Sequence, residues 1–262
     1  MKGILSSLGE GLLDLIYPSN IYCISCGNII DDSRPYALCD TCVRTLKWAN
    51  GRTCGRCGKI LQADYGPDLC TDCMDAEHVF EKGFTCVEYG TVERELIHQF
   101  KYKDKAYLGR KFAEIMYDRL QAEELEPDFI IPVPMFGRKE RKRGYNQAAV
   151  LAASLAKYMG RPYAGKLLVR VVETEAMSRL SALGRRRNIQ EVFSVPDYKK
   201  DMLTGKTILL VDDIYTTGST VDACAAALLE SGAAKVFVFS FASGANLTRA
   251  ENEMPKVSRN LR

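Results

Sequence analysis

ILLVDDIYTTGST, running from Ile208 to Thr220, is an apolar run followed by two acids and a loop of small hydroxylated residues. Ile208, Leu209, Leu210 and Val211 have the continuous apolar character of a parallel strand covered on both faces. Asp212 and Asp213 then emerge at the carboxyl end of that strand. Thr216, Thr217, Gly218, Ser219 and Thr220 offer hydroxyls and closely spaced backbone N–H groups where a helix over 221–230 begins, and such a helix start holds an anion. Acids that accept hydrogen bonds from vicinal hydroxyls, beside a nest for phosphate, suit a ribose 5-phosphate. A Walker-type triphosphate loop requires a Lys before its terminal Ser or Thr, and TTGST has none. The competing reading is an ordinary strand–turn–helix with a hydroxyl cap.

Outward from this stretch, strands over 84–90, 129–133, 167–171, 206–211 and 235–241 alternate with helices over 92–102, 107–120, 146–159 and 221–230. The alternation predicts an α/β domain: a mainly parallel sheet with helices on both faces and ligands at the carboxyl ends of its strands. A second loop of interest, PVPMFGRKERKRGYNQ from Pro132 to Gln147, leaves one of those ends. Five of the six residues from Arg138 to Arg143 are basic, so the loop can line an anion site. A solvated basic loop is the alternative.

Cysteine usage divides the chain. Nine of the ten cysteines precede residue 90. Eight form C-x-x-C pairs: Cys23 with Cys26, Cys39 with Cys42, Cys54 with Cys57, and Cys70 with Cys73. CISCGNIIDDSRPYALCDTC and CGRCGKILQADYGPDLCTDC align along their whole length, an internal duplication of a zinc-ribbon-like unit. The two-residue gap lets two thiolates face one tetrahedral Zn²⁺. Two structural four-cysteine sites follow if the pairs are used in order, while a cross-braced pairing is also compatible. Disulfides compete less well, because the first twenty residues do not resemble a secretion signal, and four matched pairs exceed what a redox site needs. Cys86 and Cys224 read as core residues. Trp48, Tyr22, Tyr36 and Tyr65, scattered among the ribbons, read as packing on small zinc cores.

The formal charge of +3 falls to about −1 once eight thiolates and two Zn²⁺ are counted, so overall charge gives no argument for nucleic-acid binding. No apolar run of transmembrane length is present. The expected organisation of the 262 residues is an amphipathic helix over 1–20, the duplicated ribbons over 21–80, the α/β domain over 81–243 and a polar tail over 244–262.

At Asp212, Asp213 and Thr216 to Thr220 the sequence resembles the phosphoribosyl pyrophosphate (PRPP) motif of type I phosphoribosyltransferases. Pro132, Pro134, Arg141, Arg143, Gly144, Tyr145, Asn146 and Gln147, together with LIHQFKYKDK from Leu96 to Lys105, narrow the resemblance to ComF-type competence proteins. That resemblance implies a type I phosphoribosyltransferase-like fold behind a small zinc-ribbon domain. It implies that Asp212 and Asp213 hold the ribose hydroxyls, that Thr216, Thr217, Gly218, Ser219 and Thr220 anchor the 5-phosphate, and that Pro134, Phe136, Gly137, Arg141, Arg143 and Gly144 receive pyrophosphate with Mg²⁺. It also implies a flap carrying Arg170, Thr174, Arg185 and Asn188, for which a solvated basic helix is the alternative; Met177 stands where relatives have Gln. The expected setting is the cytoplasm, in the handling of incoming single-stranded DNA during natural transformation, with a ComF-type helicase and other DNA-uptake proteins as partners. The acceptor for any phosphoribosyl transfer has no signature in the sequence, and a nucleotide-metabolism transferase or a ribbon scaffold are the alternatives.

Overall fold

The computed structural model describes residues 21–102, 105–171 and 192–246. The chain forms two compact units that divide between Leu46 and Lys47, so the first ribbon lies in one unit and the second ribbon shares the other with the α/β fold. In the first unit, a short helix α1 (Asp40–Thr45) follows Cys39.

The second unit opens with the second ribbon, whose helix α2 spans Thr71–Asp75. Then come β1 (Gly83–Glu88), α3 (Thr91–Tyr102), α4 (Leu108–Leu120), β2 (Phe129–Pro132), α5 (Gly137–Arg143) and α6 (Gln147–Met159). A small antiparallel pair, β3 (Val169–Arg170) and β4 (Phe193–Ser194), precedes β5 (Thr207–Tyr215), α7 (Ser219–Glu230) and β6 (Lys235–Ser243). The main sheet has the order β1-β6-β5-β2, and all three pairings are parallel.

Alternation along these strands builds two cores, because successive side chains leave on opposite faces. Ile208 and Leu210 of β5 join Ile131, Val236 and Val238 in one buried cluster with Val221, Cys224, Ala225 and Leu228 of α7. The same cluster contains Phe193 of β4 and the four cysteines of the second ribbon. Leu209, Val211, Phe239 and Phe241 are buried on the other face, where Phe241 stacks on Phe112 of α4 at 4.2 Å and Phe100 of α3 meets Phe112 edge-on. Each such fully buried side chain contributes about 1.5–3 kcal/mol.

Several details depart from the sequence expectation. Residues 137–143 are helical, since Arg and Lys are good helix formers and Gly144, at φ +92°, supplies the left-handed stop. β5 runs four residues beyond Val211 because β6 keeps pairing with it as far as Tyr215↔Ser243. Trp48 pairs with Val87 at the outer edge of β1, and Tyr22 is exposed. Asn246, read as tail, is buried and accepts hydrogen bonds from the Thr71 N–H (3.1 Å) and hydroxyl (3.3 Å). Cys86 and Cys224 are buried as expected. The helix over 1–20 and the tail beyond Asn246 lie outside the described residues.

Candidate sugar-phosphate site

β2 stops pairing with β5 at Pro132↔Val211, and the Val133 N–H makes a last bond to the Val211 carbonyl at 2.8 Å. Asp212 to Tyr215 therefore lie along an edge from which the neighbouring strand has turned away. The acids sit inside a strand, not after it, at the carboxyl end of the sheet.

The strand's alternation sends the two acids to different sides. Asp213 faces α3, where Lys101 Nζ lies 2.5 Å from its Oδ2 and both side chains are largely buried. Asp212 points toward α7, and its Oδ1 accepts the Asp213 N–H at 2.9 Å. Burial and the neighbouring Asp213 carboxylate push the Asp212 carboxyl well above the usual range, against the pull of that N–H and of Lys101. Lys101 takes one oxygen of Asp213, and the two carboxyl groups retain acceptor capacity for the hydroxyls of a diol.

The loop after β5 turns at Gly218, which has φ +86° and caps α7. A Cβ here would meet Tyr215 Oη at 2.5 Å and His78 Cε1 at 2.7 Å, so glycine is required by both backbone and space. Thr216, Thr217, Ser219 and Thr220 are exposed above that floor, with the Thr217 and Ser219 hydroxyls 2.9 Å apart. The start of α7 points its N–H groups into the same region, an arrangement suited to a phosphate.

The loop after β2 leaves the sheet at the same end, because β2 and β5 are parallel neighbours. Asn146 Nδ2 donates to the Val133 carbonyl at 3.0 Å, Arg143 Nη1 to Gln147 Oε1 at 2.8 Å, and the Tyr145 hydroxyl to the Phe100 carbonyl. These bonds fix both ends of the basic segment while Gly137, Arg141 and Gly144 stay exposed and Phe136 half-buried. Pro134 and Arg170 line one cleft of about 910 Å³ with Met135, Tyr163, Tyr198 and Met202. Arg170 lies over the Phe193 ring at 5.4 Å. Thr174, Arg185 and Asn188, with Met177, lie outside the described residues.

The cysteines gather in two groups, Cys23, Cys26, Cys39 and Cys42 in the first unit and Cys54, Cys57, Cys70 and Cys73 in the second. The pairs are used in order and not cross-braced. Within each group the sulfurs lie within 4.8 Å of one another, with 3.8 Å for Cys26–Cys39 and 3.5 Å for Cys57–Cys70. A tetrahedral Zn²⁺ with sulfur bonds of about 2.3 Å needs sulfurs about 3.8 Å apart, so the residues fit the metal. Hydrogen bonds among the neighbouring sulfurs push the Cys57 and Cys73 thiols up and hold Cys54 down. Gly27 and Gly58 turn both knuckles at φ +77°.

Comparison with known proteins agrees with this construction. A double zinc ribbon domain matches residues 12–74, and a phosphoribosyl transferase domain matches residues 101–261. Competence protein F of Haemophilus influenzae is 30% identical over 228 residues, covering 85% of this chain and 97% of that protein. The chain belongs to the ComF family. DNA utilization protein YhgH of Escherichia coli O157:H7 is 29% identical over 78% of this chain and 89% of its own length. Competence protein ComFC of Bacillus subtilis is 26% identical over 75% and 80%.

Three residues around this candidate site carry no signal in the sequence that places them there. Lys101 stands in the LIHQFKYKDK segment without any local sign that it reaches Asp213. His78 and Asp222 meet across 144 residues of sequence, with Nδ1 2.5 Å from Oδ2. The one available signal was a lone His beside the last cysteine pair, and spacing alone assigns it nothing.

Proposed function

We propose that the pocket at the end of β5 binds PRPP with Mg²⁺ in a cytoplasmic protein that handles incoming single-stranded DNA during natural transformation. The observation that carries the reading is the pair Asp212 and Asp213 on an edge freed by β2, directly before a phosphate nest floored by Gly218. Asp212 and Asp213 take the ribose hydroxyls, and the loop from Thr216 to Thr220 takes the 5-phosphate. Arg141, Arg143 and the turn from Pro134 to Gly144 face the pyrophosphate. A divalent cation bound with it supplies neutralising charge to its oxygens. If the bond to pyrophosphate breaks, the acids favour the cationic ring and the basic segment favours the leaving anion. Arg170, Thr174, Arg185 and Asn188 belong to the segment that covers the bound sugar.

DNA handling is supported by the names of the relatives, and the exposed Arg138, Lys139, Arg141 and Lys142 on α5 offer contacts for strand phosphates. A ComF-type helicase and other DNA-uptake proteins are the partners that fit this role. Zinc–thiolate sites persist in the reducing cytoplasm.

PRPP with Mg²⁺ should raise the melting temperature, and replacing Asp212 and Asp213 with Asn should remove the shift; an unshifted wild-type protein counts against the reading. A labelled single strand should bind more weakly as salt rises, with a shallower slope after neutralisation of the α5 cations. Absence of binding at low salt would remove the DNA part of the reading.

A further inference from the structure

The second ribbon reaches the phosphate loop through one sealed side chain. His78 places Nδ1 2.5 Å from Asp222 Oδ2 and Nε2 3.3 Å from the Tyr215 hydroxyl, and its side chain is only 1% exposed. Its ring stacks on Phe80 at 4.9 Å. Asp222 lies in the first turn of α7 and Tyr215 ends β5, so His78 holds the residues on either side of Thr216 to Val221. The second oxygen of Asp222 accepts the Val79 N–H at 3.1 Å.

The other end of this constellation belongs to the zinc knuckle. Arg56, between ligands Cys54 and Cys57, donates to the His78 carbonyl and, at 3.1 Å, to the Glu81 carbonyl. Lys59, just beyond the knuckle, pairs with Asp72 and stands 5.8 Å from the Tyr215 ring. Gly58 and Gly83 pack backbone against backbone, since a Cβ on Gly58 would lie 2.6 Å from the Gly83 carbonyl. An Asp–His–Tyr series suggests a proton relay, yet no substrate reaches a side chain this enclosed.

We infer that His78 is a positioning residue for the sugar-phosphate site, fixing both ends of the phosphate loop and tying its shape to the second zinc ribbon. This rests on the reading of the loop as a phosphate nest. A nest binds only when its N–H groups converge, and a buried support with locked rotamers provides that convergence. Asp222 receives two donors, one on each oxygen. An amide there has a single acceptor oxygen, so if Asp222→Asn keeps the Val79 N–H its NH₂ faces His78 and forces the other imidazole tautomer, with Nδ1 accepting.

The test is hydrogen–deuterium exchange of the full, zinc-loaded chain without ligand, followed by titration with PRPP and Mg²⁺. In His78→Ala and Asp222→Asn, amides of the first bonded turn of α7, from residue 222 onward, should exchange about tenfold faster while those late in α7 keep their protection. PRPP affinity should fall by a similar factor with two zinc ions retained per chain. Tyr215→Phe removes only the hydroxyl contact and should give a smaller change of the same kind, which keeps the test alive if His78→Ala does not fold. Unchanged exchange of that turn in Asp222→Asn and Tyr215→Phe overturns the inference even if PRPP binds normally. A wild-type chain that ignores PRPP would instead defeat the functional reading, leaving the exchange result to stand on its own.

Discussion

The two ribbons share one backbone and have acquired different surroundings. In the first, Cys23 N–H bonds to the Asn28 carbonyl, Gly27 N–H to Cys23, Ile24 N–H to Ala37 and Ile30 N–H to Ile21. In the second, Cys54, Gly58, Gly55 and Leu61 make the matching bonds to Lys59, Cys54, Asp68 and Arg52. Tyr22↔Ile29 and Thr53↔Ile60 are matching bridges. Metal geometry fixes these features in both copies.

The difference lies in the positions the metal does not dictate. Ser25, Asn28 and Asp40 of the first ribbon correspond to Arg56, Lys59 and Thr71 of the second, and those three reach His78, Asp72 and Asn246. All four cysteines of the second ribbon are buried, whereas Cys26 is exposed and Ile29 is 82% exposed in the first. Duplication thus supplied one zinc module to the phosphoribosyltransferase unit and left the other in a unit of its own.

The sharpest way to break this comparison is to remove one ligand from each ribbon. Cys70→Ala and Cys39→Ala should each lose one zinc, a site whose binding is worth roughly 10–16 kcal/mol in isolated fingers. Calorimetry should show the main transition lowered by more than about 10 °C, or lost, in Cys70→Ala and nearly unmoved in Cys39→Ala. Equal effects would mean that the ribbons are not distinct in this way. Next in size is the knuckle glycine. Gly27→Ala and Gly58→Ala both force alanine into the left-handed region at about 1–2 kcal/mol, but only Gly58 also abuts the Gly83 backbone. Denaturant unfolding followed by circular dichroism, which reports on both units, should find Gly58→Ala the costlier by at least about 1 kcal/mol.

Lys101 tests whether the acids depend on their partner from α3. Lys101→Met should destabilise the second unit by about 2–3 kcal/mol, below the 3–5 kcal/mol typical of fully buried pairs because this one retains some exposure. The smallest effect, and the one of opposite sign, belongs to Asp212. Its folded-state pKa lies above its unfolded value, so the group favours the native state at low pH and loses that contribution as pH rises through the folded pKa. Asp212→Asn should therefore melt like the wild type near pH 3 and at higher temperature near pH 7, while losing PRPP. A variant less stable at pH 7 would show that Asp212 is stabilising.

Local features were legible in the sequence because their chemistry is local. Four cysteines at C-x-x-C spacing mark a zinc knuckle, and ILLVDDIYTTGST carries strand, acids and hydroxylated loop without interruption. Contacts between distant segments were not legible. Lys101 with Asp213 and His78 with Asp222 depend on the packing of α3 and the second ribbon around the sheet, which no periodicity reports. β4 is two residues long, too short for an alternation to appear. The extension of β5 through two acids depends on β6 continuing beside it after β2 has left, a property of the sheet more than of the strand.

A crystal structure of the zinc-loaded protein with PRPP and Mg²⁺ tests the central claim most directly. The 5-phosphate should sit on the N–H groups of residues 216–220, with the ribose hydroxyls on Asp212 and Asp213 and the pyrophosphate toward Arg141 and Arg143. A sugar phosphate bound away from this loop, or none bound at saturating PRPP, would contradict the account.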